Sequence, residues 1–346
     1  MAPVSEAEQA AMHRALALAD TVRGRTSPNP AVGAVILDAS GVLVGEGATS
    51  PPGGPHAEIL ALNHAGEHAS GATVVVTLEP CAHTGRTGPC VDALIAAEIA
   101  RVVYAVDDPS PEAAGGARVL RAAGVDVIGG VETRAAERGA LRPWLHAVHL
   151  GRPFVTWKFA STLDGRVAAA DHTTRWISSA PSRADAHALR AIADAVMVGS
   201  GTVLADDPAL TVRNDKDVPA KHQPLRVVLD RRHRVRADAQ IFDHVAETLV
   251  LDTAVPRFAL KALHDRGVRH VLLEGGPTLA GAFLEARCVD EVIAYISPTL
   301  LGAGPAALAD AGITTLAEAV TLDVETVTRS GPDVKIVGRP RWPEGE

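Results

Sequence analysis

Apolar residues recur at helical spacing over residues 6–22, with Met12, Leu16 and Ala19 on one side, and this pattern predicts an opening amphipathic helix. Ser27-Pro28-Asn29-Pro30 ends it. Two apolar runs, 31–37 and 42–45, flank the turn Asp38-Ala39-Ser40-Gly41 and read as a hairpin, with Asn29 on the loop that enters it. Beyond the Pro/Gly-rich loop 50–55, helical spacing returns over 56–65, with Ile59 and Leu62 on one face, so His56 and Glu58 fall in a helix's first turn. A buried strand over 72–78 then delivers Glu79-Pro80-Cys81 at its C-terminal end. Cys90 opens a helix, 91–97, that leads into a strand over 101–106. A polar helix, 133–142, is predicted to end at Pro143.

Gly151-Arg152-Pro153 punctuates the chain, and the expected domains are 5–150 and 151–340. The second begins with a strand over 154–159. Three later segments share one pattern of apolar strand, glycine turn and helix: 195–198 with Gly199-Ser200-Gly201-Thr202, 271–273 with Glu274-Gly275-Gly276-Pro277-Thr278, and 293–296 leading to Leu301-Gly302-Ala303-Gly304. Glycine lets backbone amides approach a phosphate, and the helix N-terminus that follows favours the anion. None of these turns matches G-x-G-x-x-G, and glycine turns also end strands without any ligand. The strand 226–229 ends in Asp230-Arg231-Arg232-His233-Arg234, a cationic cluster. An Arg at such a strand end accommodates the 2′-phosphate of NADP, which singles out Arg231, whereas a solvated loop is the plainer alternative.

The chain's 346 residues exceed the size at which one core keeps growing, in line with two domains. Hydrophobic content of 47% with only 3% aromatics points to Val, Leu, Ile and Ala packing and an α/β architecture. The formal charge of −8 argues against a broad nucleic-acid surface and favours a small-molecule substrate. Of three cysteines two belong to the cluster described next, leaving Cys288 with no disulfide partner, as expected in a reducing cytoplasm. No apolar run has the length of a signal peptide or a membrane span.

His56, Cys81 and Cys90 are three zinc-type ligands, and Glu58 is a carboxylate two positions from the first. Closed structural zinc sites use four protein ligands, so three leave a position for water and mark a catalytic metal. One imidazole and two thiolates hold zinc, the metal lowers the pKa of its water, and Glu58 shuttles the proton to a leaving amine: hydrolytic deamination. Zinc deaminases carry H-x-E followed by P-C-x-x-C; here His56-Ala57-Glu58 and Pro80-Cys81 match, but eight residues separate Cys81 from Cys90. Taken singly, the cysteines are small buried hydrophobes and His56 a helix cap. Their coincidence with the spaced Glu58 outweighs that reading. His64 and His68, spaced i,i+4 near a helix end, read as solvated surface.

The segments Ser27-Pro28-Asn29-Pro30-Ala31-Val32-Gly33-Ala34-Val35, His56-Ala57-Glu58 and residues 79–90 together resemble the bifunctional riboflavin-biosynthesis deaminase/reductase. Lys158 to Arg166, Arg175-Trp176-Ile177-Ser178, Gly201 to Arg213 and Glu274 to Gly281 extend the resemblance over nearly the whole chain. It implies a cytidine-deaminase-like domain followed by a dihydrofolate-reductase-like one. It implies one Zn²⁺ per chain and NADPH as cofactors. In the first domain it implies substrate contacts at Asn29, His83 and Arg86, Arg86 standing where the family often has Lys. Thr49 stands where many members carry His. In the second it implies substrate at Thr174, Arg190, Leu210, Arg213 and Glu274. NADPH would lie at Ala160, Trp176, Thr202, Asp206 and the turn Gly276, Pro277, Thr278, Leu279, Ala280, Gly281, Ala282. Guanidinium groups bind phosphate bidentately, a physical reason for Arg190 and Arg213, although surface salt bridging is the commoner role of an Arg. Lys158 or Glu274 is the expected proton relay of the reduction, a helix- or strand-edge cation being the plainer reading of Lys158.

The implied reactions are removal of the 2-amino group of 2,5-diamino-6-ribosylamino-4(3H)-pyrimidinone 5-phosphate, then reduction of the ribosyl group to ribityl. The expected partners are that phosphorylated pyrimidine and further copies of the chain in a homo-oligomer, with no nucleic acid and no membrane. A deaminase of tRNA or DNA shares the His-x-Glu and Cys constellation but calls for a basic stripe with interleaved aromatics, against 5 Phe, 2 Tyr and 4 Trp on an acidic background. A non-catalytic module with a structural zinc is the other rival, and an open zinc position counts against it.

Overall fold

Ser5 accepts a hydrogen bond from the Glu8 amide while the Glu8 carboxylate reaches back to the Ser5 amide, so the first helix, α1 (Glu6–Thr21), starts on a capping box. Its Met12 and Ala19 are buried as the periodicity predicts. The computed structural model describes residues 3–83, 88–111, 113–214 and 216–343. By contact the chain divides into two units, Met1–Arg152 and Pro153–Glu346.

In the first unit β1 (Gly33–Leu37) and β2 (Leu43–Ala48) form the expected antiparallel hairpin. With β3 (Thr73–Leu78), β4 (Arg101–Val106) and β5 (Asp126–Ile128) they make one sheet of order β2-β1-β3-β4-β5, in which β3, β4 and β5 run parallel. β3 and β4 are apolar runs buried at five of six positions, as strands covered on both faces must be. The helices α2 (Ala57–Ala65), α3 (Cys90–Ala96) and α4 (Gly116–Ala122) connect them. On α2 the buried face is Ala57, Glu58, Ala61 and Ala65, with Ile59 and Leu62 only half-buried. Small side chains let the helix lie close to the hairpin, and the larger ones flank that contact.

The polar helix of the sequence pattern is two helices. α5 (Thr133–Arg138) stops at Gly139, and Pro143 lies in the first turn of α6 (Arg142–Leu150) instead of ending its predecessor. Proline is tolerated there because a first-turn amide has no partner in the helix anyway. α6 carries Trp144, Leu145 and Ala147 into the core.

The second unit contains β6 (Phe154–Thr162), α7 (Ala180–Ala191), β7 (Ala195–Gly199), α8 (Ser200–Asp206), β8 (Leu225–Leu229), β9 (Thr248–Leu251), α9 (Pro256–Asp265), β10 (His270–Leu273), α10 (Pro277–Glu285), β11 (Glu291–Ser297), β12 (Thr321–Ser330) and β13 (Asp333–Arg341). Its eight strands lie in the order β12-β13-β11-β6-β10-β7-β8-β9, parallel from β11 to β9, with an antiparallel β13–β12 hairpin on the other edge. Two of the three strand–glycine–helix segments appear as expected, β7 into α8 and β10 into α10. The third does not: β11 runs into a loop, since two glycines and Pro305 within four residues disfavour a helix. That loop is pinned by Asp164, which accepts from the Gly302 amide (2.6 Å), and by Arg166, which donates to the Gly304 carbonyl (3.0 Å). No helix among the described residues is long and apolar enough to cross a membrane.

Candidate functional site

The first site forms where β3 ends and where α2 and α3 begin. His56 is the residue before α2, its side chain making no cap hydrogen bond, so the imidazole stays available. Cys81 follows β3 by three residues, and its position is held from several directions. Glu79 accepts from the amides of Asp108 (3.1 Å) and Ala117 (2.8 Å), which ties the strand's exit to β4's exit and to α4. Gly116 lies against the Pro80 carbonyl so closely that a Cβ there would sit 1.8 Å from its oxygen, and only glycine permits the approach. The Cys90 amide donates to Cys81 Sγ (3.4 Å).

His56 Nδ1 lies 3.6 Å from Cys81 Sγ and 3.3 Å from Cys90 Sγ, and the three donor atoms all fall within 4.8 Å of one another. Tetrahedral zinc with bonds of about 2.0–2.1 Å to nitrogen and about 2.3 Å to sulfur separates the two atom types by about 3.5 Å, so the donor set fits the metal. Hydrogen bonding from Cys90 and the neighbouring His56 lowers the pKa of the Cys81 thiol, and the same contact together with burial raises that of Cys90. Glu58 is buried beside Cys90, and this burial raises its pKa above the usual carboxylate range. The site opens on a cavity of about 360 Å³, whose lining includes Asn29, Thr49, His56, Glu58, Cys81 and His83.

His83 Nδ1 is buried without a hydrogen-bond partner among the described residues, leaving a polar atom for a ligand to satisfy. Arg86 lies outside the described residues. Thr49 is buried and spends its hydroxyl on the backbone, accepting from the Val32 amide (3.1 Å). His64 is exposed and accepts from the Glu46 amide, and His68 is also exposed. The lining also includes Asp108, Ser110 and Trp144, polar or aromatic residues that the sequence motifs do not single out. Burial raises the pKa of Asp108, and Ser110 donates to it from both amide and hydroxyl. The signal was available, because Asp107-Asp108-Pro109-Ser110 leaves the C-terminal end of β4, where open α/β sheets place ligands.

In the second unit the proposed cofactor residues gather at the C-terminal ends of β7 and β10, which are parallel neighbours. Gly276 precedes α10 without a side-chain cap and donates its amide to Thr202 Oγ1 (3.1 Å) on α8. Uncapped amides at adjacent strand ends suit the phosphates of a dinucleotide. Asp206 accepts from Thr174 Oγ1 (2.8 Å), which joins a residue implied for cofactor to one implied for substrate. Trp176 is 67% exposed with Arg183 4.4 Å over its ring, an apolar plate facing solvent. Ala160 is half-buried on β6. Pro277, Thr278 and Leu279 form the first turn of α10, with Ala282 half-buried beyond them. Ala280 belongs to the core, and Gly281 packs against the Asp310 carbonyl, so protein already occupies their surfaces. In the cationic cluster Arg231 is exposed, and it is Arg234 that reaches α8, donating to Ser200 Oγ (2.9 Å).

Arg190 and Glu274 meet in a bidentate ion pair, Nε to Oε1 at 2.6 Å and Nη2 to Oε2 at 2.9 Å. Burial alone would raise the Glu274 pKa, but the guanidinium overrides it and holds the carboxyl at about 2. Arg213 instead pairs with Asp217, which is 81% exposed. Leu210 is buried. Lys158 is half-buried, and its burial lowers the ammonium's pKa.

Residues 153–336 match the family model described as RibD C-terminal domain, and residues 5–106 match the cytidine and deoxycytidylate deaminase zinc-binding region. The riboflavin biosynthesis protein RibD of Mycobacterium tuberculosis is 50% identical over 313 residues, 90% of this chain and 91% of that one. This chain belongs to the RibD family. The Escherichia coli RibD is 41% identical, covering 93% of this chain and 96% of its own. Among solved structures, Acinetobacter baumannii RibD (form 1) superposes with a TM-score of 0.89 at 37% identity, covering 97% of this chain and 99% of that one. A Thermotoga maritima structure, described as a diaminohydroxyphosphoribosylaminopyrimidine deaminase/5-amino-6-(5-phosphoribosylamino)uracil reductase, gives 0.89 at 32% identity with the same coverage. RibD membership accounts for both halves of the chain with one family.

Proposed function

We propose that the unit ending at Arg152 deaminates the diaminopyrimidinone ribosyl phosphate at His56, Cys81, Cys90 and Glu58, and that the unit from Pro153 reduces the product's ribosyl group with NADPH. The observation that carries this reading is the meeting of one imidazole and two thiolates beside a buried carboxylate on a cavity of small-molecule size. His56, Cys81 and Cys90 would hold zinc, which would polarise a water for attack on the carbon bearing the 2-amino group. Glu58 takes the proton of that water and returns it to the departing amine, so ammonia leaves and a carbonyl takes its place. Burial favours the protonated carboxyl that the second transfer needs. Asn29 and His83 hold the pyrimidine, and Arg86 takes the phosphate.

NADPH, which Thr202, Asp206 and the turn from Gly276 would hold, would supply a hydrogen with its electron pair for C1′ of the ribosyl group. The C1′–O4′ bond breaks and O4′ takes a proton. Glu274, ionised down to about pH 2, has none to give at neutral pH. Lys158, whose ammonium burial destabilises, does, so Lys158 is the proton source and Glu274 its anionic neighbour. Arg190 is committed to Glu274, whereas the exposed Asp217 pair of Arg213 contributes little and exchanges readily for phosphate.

The homo-oligomer would cover β12, nine of whose ten residues are exposed, and light scattering tests it. The cytoplasmic reading rests on three cysteines that form no disulfide. The deciding experiment incubates the full chain with the diaminopyrimidinone phosphate, with and without NADPH, and identifies products by mass. Ammonia and a deaminated ribosyl product are expected without NADPH, and the ribityl product with it. No ammonia from zinc-loaded protein would overturn the deaminase reading, and deaminated product left unreduced by NADPH would overturn the reductase reading.

A further inference from the structure

Lys158 stands in a row of charged and aromatic side chains that crosses the reductase sheet. Tyr295 on β11 pairs in register with Lys335 on β13 and with Ala160 on β6. Side chains two apart on a strand share a face, so Lys158, Tyr295 and Lys335 lie on the same side of three neighbouring strands. The ammonium groups of Lys158 and Lys335 each stand 5.7 Å from the centre of the Tyr295 ring. Asp185 and Arg190 come to this row from α7, and Glu274 from the end of β10.

The two carboxylates near Lys158 are both engaged elsewhere. Asp185 Oδ2 accepts from Lys335 Nζ (2.6 Å) and from the Tyr295 hydroxyl (2.7 Å). Both Glu274 oxygens go to Arg190. His187 donates to the Thr211 carbonyl, and burial lowers its pKa. Lys158 itself makes no hydrogen bond or ion pair with another described residue, although Glu274 and Asp185 both act on its charge.

We propose that Asp185, Tyr295 and Lys335 are positioning residues of the reductase site: Lys335 and Tyr295 take up Asp185, so that Lys158 faces the substrate without a counter-ion of its own. This rests on Lys158 being the proton source. An ammonium that owned the Asp185 carboxylate would hold its proton more tightly and be turned from O4′ toward α7. The Lys335–Asp185 pair also cancels much of the field of either charge at Lys158, so removing one partner uncovers the other. The two single removals therefore act with opposite sign. Groups near Lys158 that both variants leave in place are Glu274, Arg190 and Tyr295, with His187 acting on Glu274 and Arg190.

The experiment follows NADPH oxidation by the full chain with the deaminated substrate across pH, for wild type, Lys158→Met, Asp185→Asn, Lys335→Met and Lys335→Arg. A proton donor's rate falls as pH rises through its pKa. Lys335→Met exposes the Asp185 charge and should move that alkaline fall up by about one pH unit, whereas Asp185→Asn exposes Lys335 and should move it down by a similar amount. Lys335→Arg keeps the pair and should restore the wild-type profile. Near-UV circular dichroism and the urea midpoint of the full chain, matched to wild type, report that the second unit of each variant is folded. An unmoved fall, or one moved the same way by both removals, overturns the inference. Reduction that survives Lys158→Met at the wild-type rate overturns the reading beneath it, a different result from a dead Lys158→Met whose neighbours leave the profile in place.

Discussion

The deaminase cavity and the reductase row bring polar groups together in different ways. In the first unit, four reacting or ligating groups come from two short segments, 56–58 and 81–90, and each segment begins a helix or ends a strand. In the second, Lys335, Tyr295, Lys158 and Glu274 come one each from β13, β11, β6 and the end of β10, and α7 supplies Asp185 and Arg190. A metal demands several donors within bonding reach of one point, which tight turns supply. A proton source in a sheet needs only one group, with its surroundings arranged from wherever the pleat allows.

Substitutions in the two regions should therefore fail differently. The largest effect is expected at Cys81. Cys81→Ser removes one of three ligands and should take zinc per chain from one toward none, abolishing ammonia release while the deaminated substrate is still reduced. Metal analysis checks this, and a variant retaining full zinc would remove Cys81 from the ligand set. Next comes Glu58→Gln, which keeps the metal but loses proton transfer. Deamination should drop by about 10²–10⁴-fold at unchanged zinc content. Ammonia production at the wild-type rate would leave Glu58 without a role.

The same contrast explains what was legible in the sequence. His56, Glu58, Cys81 and Cys90 sit in local patterns whose spacing already implies chemistry, and the flanking helices and strands follow from periodicity. Asp108 is legible only as a residue leaving a strand's C-terminal end and Trp144 not at all, because both reach the cavity from other elements and no spacing ties them to His56. Tyr295 and Asp185 are 110 residues apart and touch only because β11 lies under α7. Even within one element, apolar period and actual burial differ: on α2 the alanines, not Ile59 and Leu62, face inward. Pro143 was read as a stop when its place in a first turn makes it a start.

A stability test probes the reductase unit where activity alone would be ambiguous. Arg190→Ala leaves the buried Glu274 carboxylate unpaired, at an expected cost of about 3–5 kcal/mol by urea denaturation at neutral pH. The sign of its pH dependence follows from the carboxyl's value. At about 2 in the folded protein, below the 4.5 of an ordinary Glu, Glu274 contributes stability that is complete above about pH 4.5 and lost as pH falls toward 2. In Arg190→Ala that acid loss should disappear with the pair. Equal acid sensitivity in both proteins would assign the pair no linkage.

The smallest effect is expected at Thr49, the position where the family resemblance implies a histidine contact. Its hydroxyl accepts from the Val32 amide between the start of β1 and the end of β2, and the residue is buried. Thr49→Val keeps the shape and leaves that amide without its partner, so stability should fall by about 1–3 kcal/mol. If Thr49 is only a strut, KM for the diaminopyrimidinone phosphate should stay within about twofold of wild type, since a lost substrate hydrogen bond raises it by more. A KM raised tenfold with stability unchanged would reverse the assignment and give Thr49 the substrate contact in place of the histidine. Either outcome tells whether this cavity holds its pyrimidine through side chains on the β3 side alone or also through the wall that β2 provides.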